Sequence, residues 1–327
     1  MDNQTSEIKL STELNAQIRS PFTIEKLPLL GKLYRHAFRS GCVNTPSPLR
    51  FISRMLFYSL RGVSFRPALG RLRVDFGEET RIGHFDARNR QFNALYFDVF
   101  SAGYEPEVAT LIDICVPDDG VLYDIGSNWG FFSIYLASRP GFSGRIHAFE
   151  PWPQSYVDLY RLVNELRLQD QIACHTTALS DSRGPAFMHS PSHSGLAHLS
   201  NSARDTQIQT TTLDALELAP PTLMKIDAEG AEENILEGGR QLLAKHHPML
   251  IFENRAHLFG EVKCTPVLTM LEEIGYQLYA LRLQSPTNNL QKIELIEVTA
   301  ETRNVHSDCE NLFACHARDM KHLRAKI

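Results

Sequence analysis

The chain has 327 residues, of which 43% are hydrophobic and 22% charged, and this is the composition of a globular protein with a sizeable core. Its formal net charge is −5, no run of about 18 apolar residues would span a membrane, and nucleic acid is not a predicted partner. The polar start predicts no signal peptide, and the six scattered cysteines lack metal-ligand spacing. We therefore predict a cytoplasmic protein with reduced thiols and no metal site.

The first hundred residues are unusually basic and carry no recognisable motif. Between Lys26 and Val74 there are ten lysines and arginines and no aspartate or glutamate. We predict loose order over 1–20, helices over 21–62 and a hairpin over 63–90, as an extension (1–100) preceding the main domain (101–327). One interpretation places residues 26–74 on anionic lipid, at the inner face of the membrane, or on an acidic partner. The other is a helical cap whose arginines pair with the acidic main domain.

The most informative stretch is VLYDIGSNWG, from Val121 to Gly130, followed by apolar residues at 131–137. A short apolar run ending at Asp124, a turn with two glycines and a helical pattern together predict a strand, a tight turn and a helix. Gly126 permits a backbone conformation that side chains disfavour, and Gly130 allows a close approach of the chain or a ligand. The free N–H groups at such a helix start commonly hold a nucleotide.

A second short strand, RIHAFEP at 145–151, contains Glu150 at its end. In dinucleotide-type folds a carboxylate at this place accepts hydrogen bonds from the ribose hydroxyls. We therefore predict that Glu150 binds the ribose of a nucleotide-type cofactor.

Apolar runs and helical patterns alternate through the rest of the chain. The segment 184–204, which contains histidines 189, 193 and 198, is predicted to be a polar loop. The alternation predicts an α/β fold with a mostly parallel sheet and helices on both faces. Further strands are predicted at 172–179, 208–216, 223–227, 249–253, 276–283 and 311–316, with helices at 154–166 and 265–274.

Polar residues follow several predicted strands, and the carboxyl ends of parallel strands meet at one edge of the sheet. So many carboxylates in one crevice would repel one another unless a cation or a ligand rich in donors lies among them. A sulfonium compound with an amino acid tail and a ribose would meet this need. The residues concerned are Asp124, Asn128, Glu150, Ser180, Asp181, Lys225, Asp227, Glu229, Glu253 and Asn254.

Several motifs resemble those of FkbM-type S-adenosylmethionine-dependent methyltransferases. The resemblance runs from about Tyr104 to Phe313, and its most specific element is KIDAEGAE at 225–232. The other matches are YEPE at 104–107, DIGSNWG at 124–130, FEP at 149–151, Asn164, ALSD at 178–181, TTLD at 211–214 and Phe252–Glu253.

The resemblance implies a Rossmann-like sheet of seven strands, mostly parallel with the last strand antiparallel, and S-adenosyl-L-methionine as the cofactor. The glycine turn would lie along the methionine part, Ser180 and Asp181 near the adenine, and Tyr104 and Glu105 over the site. Members of the family methylate hydroxyl groups, so the predicted acceptor is a hydroxyl-bearing compound, in first place a sugar of a bacterial glycan or a natural product. The predicted cofactor-binding residues are Tyr104, Glu105, Asp124, Gly126, Ser127, Asn128, Gly130, Glu150, Ser180 and Asp181.

Methyl transfer to an alcohol is an in-line displacement that a base near the hydroxyl assists. Asp227 and Glu229 are the predicted candidates for this base, with Lys225 as an electrostatic partner. The alternative is a structural Lys225–Asp227 ion pair with Glu229 as a favourable acid at a helix start. A divalent metal on Asp227 and Glu253 is a further alternative.

Two other classes of function remain open from the sequence. One is an NAD-dependent oxidoreductase, although the turn reads D-x-G-x-x-x-G instead of G-x-G-x-x-G. The other is a non-catalytic, cofactor-binding scaffold of a glycan assembly system. The oligomeric state is not predicted.

Overall fold

A computed structural model describes most of the chain and all the strand ends that concern the site. The described residues are 11–16, 19–38, 48–63, 67–97, 100, 103–189, 198–200, 202, 205–254, 266–287, 290–300, 303 and 309–325. Up to residue 115 the elements are β1 (Ser11–Ala16), β2 (Phe22–Lys26), α1 (Leu29–Ala37), α2 (Pro48–Val63), β3 (Leu69–Asp75), β4 (Thr80–Asp86), a 3-10 helix (Arg90–Leu95) and α3 (Pro106–Cys115).

The second part of the chain alternates strands and helices. Its first elements are β5 (Val121–Ile125), α4 (Phe131–Ala137), β6 (Arg145–Phe149), α5 (Pro153–Glu165), β7 (Ile172–His175), β8 (Ala178–Leu179), β9 (Gly184–His189), β10 (His198–Ser200) and β11 (Thr206–Thr211). The elements that follow are a 3-10 helix (Leu213–Ala215), β12 (Leu223–Ile226), α6 (Glu232–Glu237), α7 (Arg240–His246), β13 (Met249–Glu253), α8 (Pro266–Glu273), β14 (Tyr276–Thr287), β15 (Leu290–Val298), β16 (Asn311–His316) and α9 (Ala317–Ala325).

Among the described residues the central sheet has nine strands, in the order β1-β15-β14-β16-β13-β12-β5-β6-β7. The five strands from β13 to β7 pair in parallel, and β16 runs antiparallel between β13 and β14. Strand β12 is buried at all four positions, as expected for a strand covered on both faces. The predicted α/β fold with a large, mostly parallel sheet is confirmed. The strand count differs from the predicted seven because β15 and β1 lengthen one edge.

The prediction of a polar loop over 184–204 is wrong for two segments. Strands β9 and β10 form a hairpin, and β9 also pairs with β11 in a second, four-stranded sheet. The residues of β9, GPAFMH, have weak strand propensity, so their structure depends on pairing with β11. The prediction of a single strand over 172–179 is also wrong. This segment divides into β7, which pairs in the central sheet, and β8, which pairs in the second sheet.

The N-terminal part packs directly on the central sheet and its helices. Strands β2, β3 and β4 form an antiparallel sheet, and β3 alternates between exposed and buried positions. Phe57 of α2, Leu72 of β3 and Phe85 of β4 belong to the same hydrophobic core as Leu111 of α3 and Leu122 of β5. Removing the first hundred residues would therefore expose the core of the central sheet.

No described helix combines the length and the apolar character needed to cross a membrane.

Candidate functional site

Two turns at the carboxyl edge of the sheet meet closely. Strands β5 and β12 pair in parallel, with Asp124 beside Lys225 in the register. Gly126 has a φ of +75°, and a Cβ atom there would lie 1.7 Å from the backbone oxygen of Asp227. A side chain at position 126 would therefore force the turns after β5 and β12 apart.

The first turn is also attached to β6. The N–H groups of Gly126 and Ser127 both donate to the carbonyl oxygen of Phe149, at 2.9 and 3.1 Å. Asn128 has a φ of +50°, and its N–H donates to Oε2 of Glu150 at 2.8 Å. These bonds fix the turn across the ends of two strands.

A cavity of about 400 Å³ opens above these strand ends. It brings together nine of the residues predicted from the sequence to bind the cofactor or to act in catalysis. These are Tyr104, Glu105, Gly126, Ser127, Asn128, Glu150, Lys225, Asp227 and Glu229.

Glu150 is one of the least solvated carboxylates of the cavity. Its side chain is 6% exposed, and its Oε1 accepts the N–H of Trp152 at 2.8 Å while Oε2 accepts the N–H of Asn128. Burial raises the pKa of Glu150 to about 7, against the opposing effect of the two backbone donors and Lys225. The carboxylate is thus fixed at the cavity wall, where it can accept further hydrogen bonds from a ligand.

Lys225 is a buried cation among the acidic residues of the cavity. The residue is 4% exposed, and its Nζ lies 3.1 Å from Oδ2 of Asp227 and 5.2 Å from the ring centre of Phe132. Burial alone would lower the pKa of Lys225, but Asp227, Asp124 and Glu105 together raise it. The lysine therefore stays charged and orients the Asp227 carboxylate, whose side chain remains 33% exposed.

Tyr104 and Glu105 lie at the start of α3. Glu105 adopts a φ of +40°, which is uncommon for a residue with a side chain, and Pro106 begins the helix. Burial and the nearby Asp227 raise the pKa of Glu105 to about 8. The ring of Tyr104 packs edge-on against Phe131, with the ring centres 5.1 Å apart. This segment therefore brings a second, partly buried carboxylate close to the Lys225–Asp227 pair.

Four predicted cofactor-binding residues do not line the cavity. Asp124 is fully buried, and its Oδ2 accepts the N–H and the hydroxyl of Ser133 at 3.1 and 2.6 Å, so it fixes the first turn of α4. Gly130 has a φ of +89° and begins that helix. Ser180 donates its hydroxyl to Asp181 at 3.3 Å, and their cofactor roles stay predictions.

The turn after β12 is held by an acid that the sequence interpretation missed. Oε1 of Glu232 accepts the N–H groups of Ala228 and Gly230 at 2.8 and 3.2 Å, and the residue is 4% exposed. Glu229, between these two donors, has a φ of +53°. The spacing of an acid two to four residues after a glycine-containing turn is the signal that could have predicted this capping contact.

Carboxylate oxygens of Asp227, Glu232 and Glu253 lie within 4.8 Å of one another. Two of these residues, Asp227 and Glu253, are the ligands of the divalent metal that the sequence analysis gave as an alternative. Acidic groups at such distances are common in proteins without a metal, and none is assigned here.

An apolar recess adjoins the cavity at Gly126. Met188 of β9 and Leu199 of β10 contribute to it, and both belong to the segment predicted to be a loop. Its other walls are Ile125, Phe149, Pro151, Ala178, Leu179, Ala228, Ala231 and Ile235. A recess of this kind can hold a flat, weakly polar ring.

The cavity also contains residues that the sequence did not assign to cofactor binding or catalysis. Gln91 accepts the indole N–H of Trp129 through its carbonyl oxygen at 3.2 Å, which joins the N-terminal part to the cavity wall. Further lining residues are Phe131, Phe132, Glu253, Asn254, Glu310 and Asn311.

Comparison with known proteins supports the resemblance noted in the sequence. Residues 123–278 match the family model described as Methyltransferase FkbM domain. Hexuronic acid methyltransferase AglP of Haloferax volcanii is 29% identical over 139 residues, which are 41% of this chain and 56% of the relative. The chain thus spans about half the length of this curated relative.

Solved structures show partial likeness. The crystal structure of methyltransferase FkbM from Methylobacillus flagellatus KT has 18% identity and a TM-score of 0.38, and the match covers 55% of this chain and 44% of that one. For an O-methyltransferase from Bacillus cereus in complex with SAH the values are 12% and 0.35, with 60% of this chain and 83% of the other covered.

Residues 123–278 are therefore similar to an FkbM-type methyltransferase domain, in agreement with the resemblance of the motifs. S-adenosylmethionine is the cofactor of this family, and the family match supports the cofactor predicted from the sequence. The family match does not support the NAD-dependent oxidoreductase alternative.

Proposed function

We propose that this protein is an S-adenosylmethionine-dependent O-methyltransferase that acts on a hydroxyl group of a sugar. The observation that carries the proposal is the shared cavity. The glycine turn, Glu150 and the Lys225–Asp227 pair follow three different strands, yet all of them line one space of about 400 Å³. A structural ion pair alone would not require a cavity beside it.

The residues of the cavity fit the cofactor chemically. The Oγ of Ser127 and the Oδ1 of Asn128 are buried and have no hydrogen-bond partner among the described residues, so a polar ligand would satisfy them. Glu150 can accept hydrogen bonds from ribose hydroxyls, and the recess beside Gly126 suits the adenine ring. The surplus of carboxylates suits a sulfonium compound with an ammonium group.

When bound, S-adenosylmethionine supplies an electrophilic methyl group. The task of the chain is to hold an acceptor hydroxyl in line with it and to remove the hydroxyl proton. Asp227 is the proposed base because its carboxylate is partly exposed to the cavity while the buried ammonium of Lys225 lies 3.1 Å away. Lys225 fixes the orientation of the Asp227 carboxylate, and Glu229 is the second candidate on the same turn.

The acceptor class rests on the family and on the curated relative. That relative is a hexuronic acid methyltransferase, and a hexuronic acid offers both hydroxyl groups and a carboxylate as methyl acceptors. We favour the hydroxyl because a carboxylate is already ionised at neutral pH and needs no base, whereas an alcohol does. The partly exposed carboxylate of Asp227 beside the buried Lys225 at the cavity therefore favours an alcohol.

Transfer of a labelled methyl group to a panel of sugars tests this proposal. A neutral hexose, a hexuronic acid and an aminohexose, each as a glycoside, would be incubated with the protein and methyl-labelled cofactor. On the neutral hexose and the hexuronic acid, which have no amine, label that survives mild alkaline hydrolysis is a methyl ether on a hydroxyl, and label released as methanol is an ester on a carboxylate. The proposal predicts alkali-stable label.

The control reactions use Asp227→Asn and, as a matched substitution far from the cavity, Glu237→Gln, whose carboxylate pairs with Arg240 on the surface. Alkali-labile label would move the reaction to a carboxylate. Cofactor binding without transfer to any sugar would support the non-catalytic scaffold instead.

A further inference from the structure

Helix α2 presents an extended apolar surface to solvent. From Leu49 to Leu60 every exposed residue except Ser59 is apolar or aromatic, with exposed fractions between 67% and 42%. The opposite side of the helix is buried through Ser53 and Phe57. The helix is therefore apolar on its solvent side, whereas its buried side includes the Ser53 hydroxyl, 2.9 Å from Nδ1 of His36.

This concentration of exposed apolar side chains is local. The described residues include twelve exposed large hydrophobic side chains, and seven of them lie on α2. Leu29, at the start of the neighbouring α1, is an eighth and is 66% exposed. Contiguous apolar surface of this kind marks a contact with a membrane or another molecule.

The charged residues in the sequence segment that carries this face are all basic, although Arg71 and Arg73 pair with Glu25 just before it. Residues 26–74 contain ten lysines and arginines and no acid, and Lys32 and Arg35 are exposed on α1. Arg54 lies between the two helices, where its Nε donates to the carbonyl oxygen of Ala37 at 3.2 Å and its guanidinium lies 5.1 Å from the ring centre of Phe38. Cations beside an apolar helical face are the pattern of a helix that lies in the surface of an anionic bilayer.

We infer that α1 and α2 form a membrane-docking surface for bilayers that contain anionic lipid. The apolar side of α2 enters the boundary between head groups and acyl chains, and the lysines and arginines contact the anionic head groups. A second copy of the chain is a poorer occupant because a symmetric contact through this face would bring the two sets of cations together.

The surface is joined to the cavity by packed side chains. Phe57 of α2 stacks on Tyr34 of α1 at a ring-centre distance of 4.7 Å, and the Tyr34 hydroxyl accepts a hydrogen bond from Nε of Arg90 at 2.8 Å. The next residue, Gln91, lines the cavity and holds Trp129. Docking would therefore hold the cavity at a fixed distance from the lipid head groups, where a sugar carried on a lipid could enter. This last step rests on the proposed function, whereas lipid binding does not.

Co-sedimentation with vesicles tests the inference without any cofactor. Full-length protein would be mixed with phosphatidylcholine vesicles that contain none or about 30% phosphatidylserine, and the double variant Phe51→Ser/Met55→Ser would be compared with wild type. We expect wild type to bind the anionic vesicles, the variant to bind at least about tenfold more weakly, and neither to bind neutral vesicles strongly.

A matched control comes from another helix. Val157 and Tyr160 of α5 are 59% and 54% exposed, so Val157→Ser/Tyr160→Ser removes similar apolar surface outside the docking face. This variant should bind vesicles like wild type. A charge variant, Lys32→Glu/Arg35→Glu, should weaken binding to anionic vesicles by about tenfold or more and lose the salt dependence that wild type shows.

Circular dichroism and urea unfolding report whether each variant is folded. Wild type that stays in the supernatant with anionic vesicles would overturn the inference, as would equal binding of wild type and the α2 variant. A dimer that the α2 variant dissociates, without vesicle binding, would assign the face to a second copy. Methyl transfer does not enter the experiment, so failure of the proposed function would leave its outcome unchanged.

Discussion

The cavity at the strand ends and the exposed face of α2 depart from the usual distribution of side chains in opposite directions. In the cavity, Glu150 and Lys225 are ionisable groups withdrawn from water, 6% and 4% exposed. On α2, Phe51 and Met55 are apolar side chains left in water, 65% and 56% exposed. Each arrangement is unfavourable for the isolated chain.

The two regions differ in the kind of binding partner that would stabilise them. The carboxylates of the cavity are suited to a small cationic ligand rich in hydrogen-bond donors, whereas the α2 face is suited to a large apolar surface with negative charge. Substitutions in the cavity should therefore change ligand binding and catalysis and leave vesicle binding unaltered. Substitutions on the α2 face should do the reverse, and a variant that changed both would show that the two regions are coupled.

The largest expected effect is on catalysis by Asp227→Asn. The substitution keeps the size of the side chain and removes the proposed base, so kcat for methyl transfer should fall by about 10²–10⁴-fold. Affinity for S-adenosylhomocysteine and for anionic vesicles should stay near the wild-type values. Initial rates with labelled cofactor would measure the effect.

Glu229→Gln is the matched comparison for that experiment, because it removes the other candidate carboxylate from the same turn. A larger loss of kcat in Glu229→Gln than in Asp227→Asn would exchange their roles. Equal, small losses in both would contradict a base on this turn.

The next largest effect is expected from Gly126→Ala, which should disturb the two turns that form the site. The added Cβ would meet the backbone oxygen of Asp227 at 1.7 Å, and the residue would also have to hold a φ of +75°. We expect a loss of about 2–4 kcal/mol in the free energy of unfolding and a loss of cofactor binding, with vesicle binding retained in the folded fraction. Urea unfolding measures the first quantity.

Gly184→Ala is the control for the energetic cost of placing a side chain at positive φ. Gly184 has a φ of +147°, and a Cβ atom added there would have no neighbouring atom within 4 Å. Equal destabilisation by the two substitutions would mean that the contact with Asp227 is unimportant.

A smaller effect is expected from pH on ligand affinity. Because the pKa of Glu150 is about 7 and the ionised carboxylate is the better acceptor for ribose hydroxyls, affinity for S-adenosylhomocysteine should rise by about tenfold from pH 6 to pH 8. Calorimetric titrations across this range would measure it. Glu150→Gln should flatten the profile, and a wild-type profile that is already flat would contradict the role of Glu150.

The smallest effect concerns stability and Glu105. Its pKa of about 8 is raised above the ordinary value of a glutamate, so the protonated folded form is favoured at low pH and stability is lost as pH rises through 8. Between pH 7 and pH 9 the free energy of unfolding of the ligand-free wild type should fall by about 1 kcal/mol more than that of Glu105→Gln. Denaturant unfolding at both pH values provides the measurement, and parallel losses would contradict the assignment.

Local sequence patterns were sufficient to predict the strands and turns that form the candidate site. The strand, turn and helix around Gly126, the strand before Glu150 and the segment from Lys225 to Glu232 each carry glycines or carboxylates at places that the backbone geometry requires. Parallel pairing then brings Asp124 beside Lys225 and Ile125 beside Ile226, so the meeting of these turns follows from the strand order.

The parts that escaped prediction depend on contacts distant in the sequence. Strand β15 and strand β1 pair with each other at the sheet edge, across more than 270 positions of sequence, and neither has a clear apolar alternation to identify it. Met188 and Leu199 form the apolar recess only because β9 pairs with β10 and β11. The partly buried state of Glu105 likewise depends on how α3 packs, which its YEPE motif does not specify.

Calorimetric titration with S-adenosylhomocysteine, on wild type, Glu150→Ala and the exposed control Glu237→Ala, tests the cofactor site most directly. We expect micromolar binding to wild type and to Glu237→Ala, and at least about tenfold weaker binding to Glu150→Ala, since a hydrogen bond to a charged group is worth about 1.5–3 kcal/mol. Absence of binding to folded wild-type protein, or the same affinity in Glu150→Ala, would contradict this expectation.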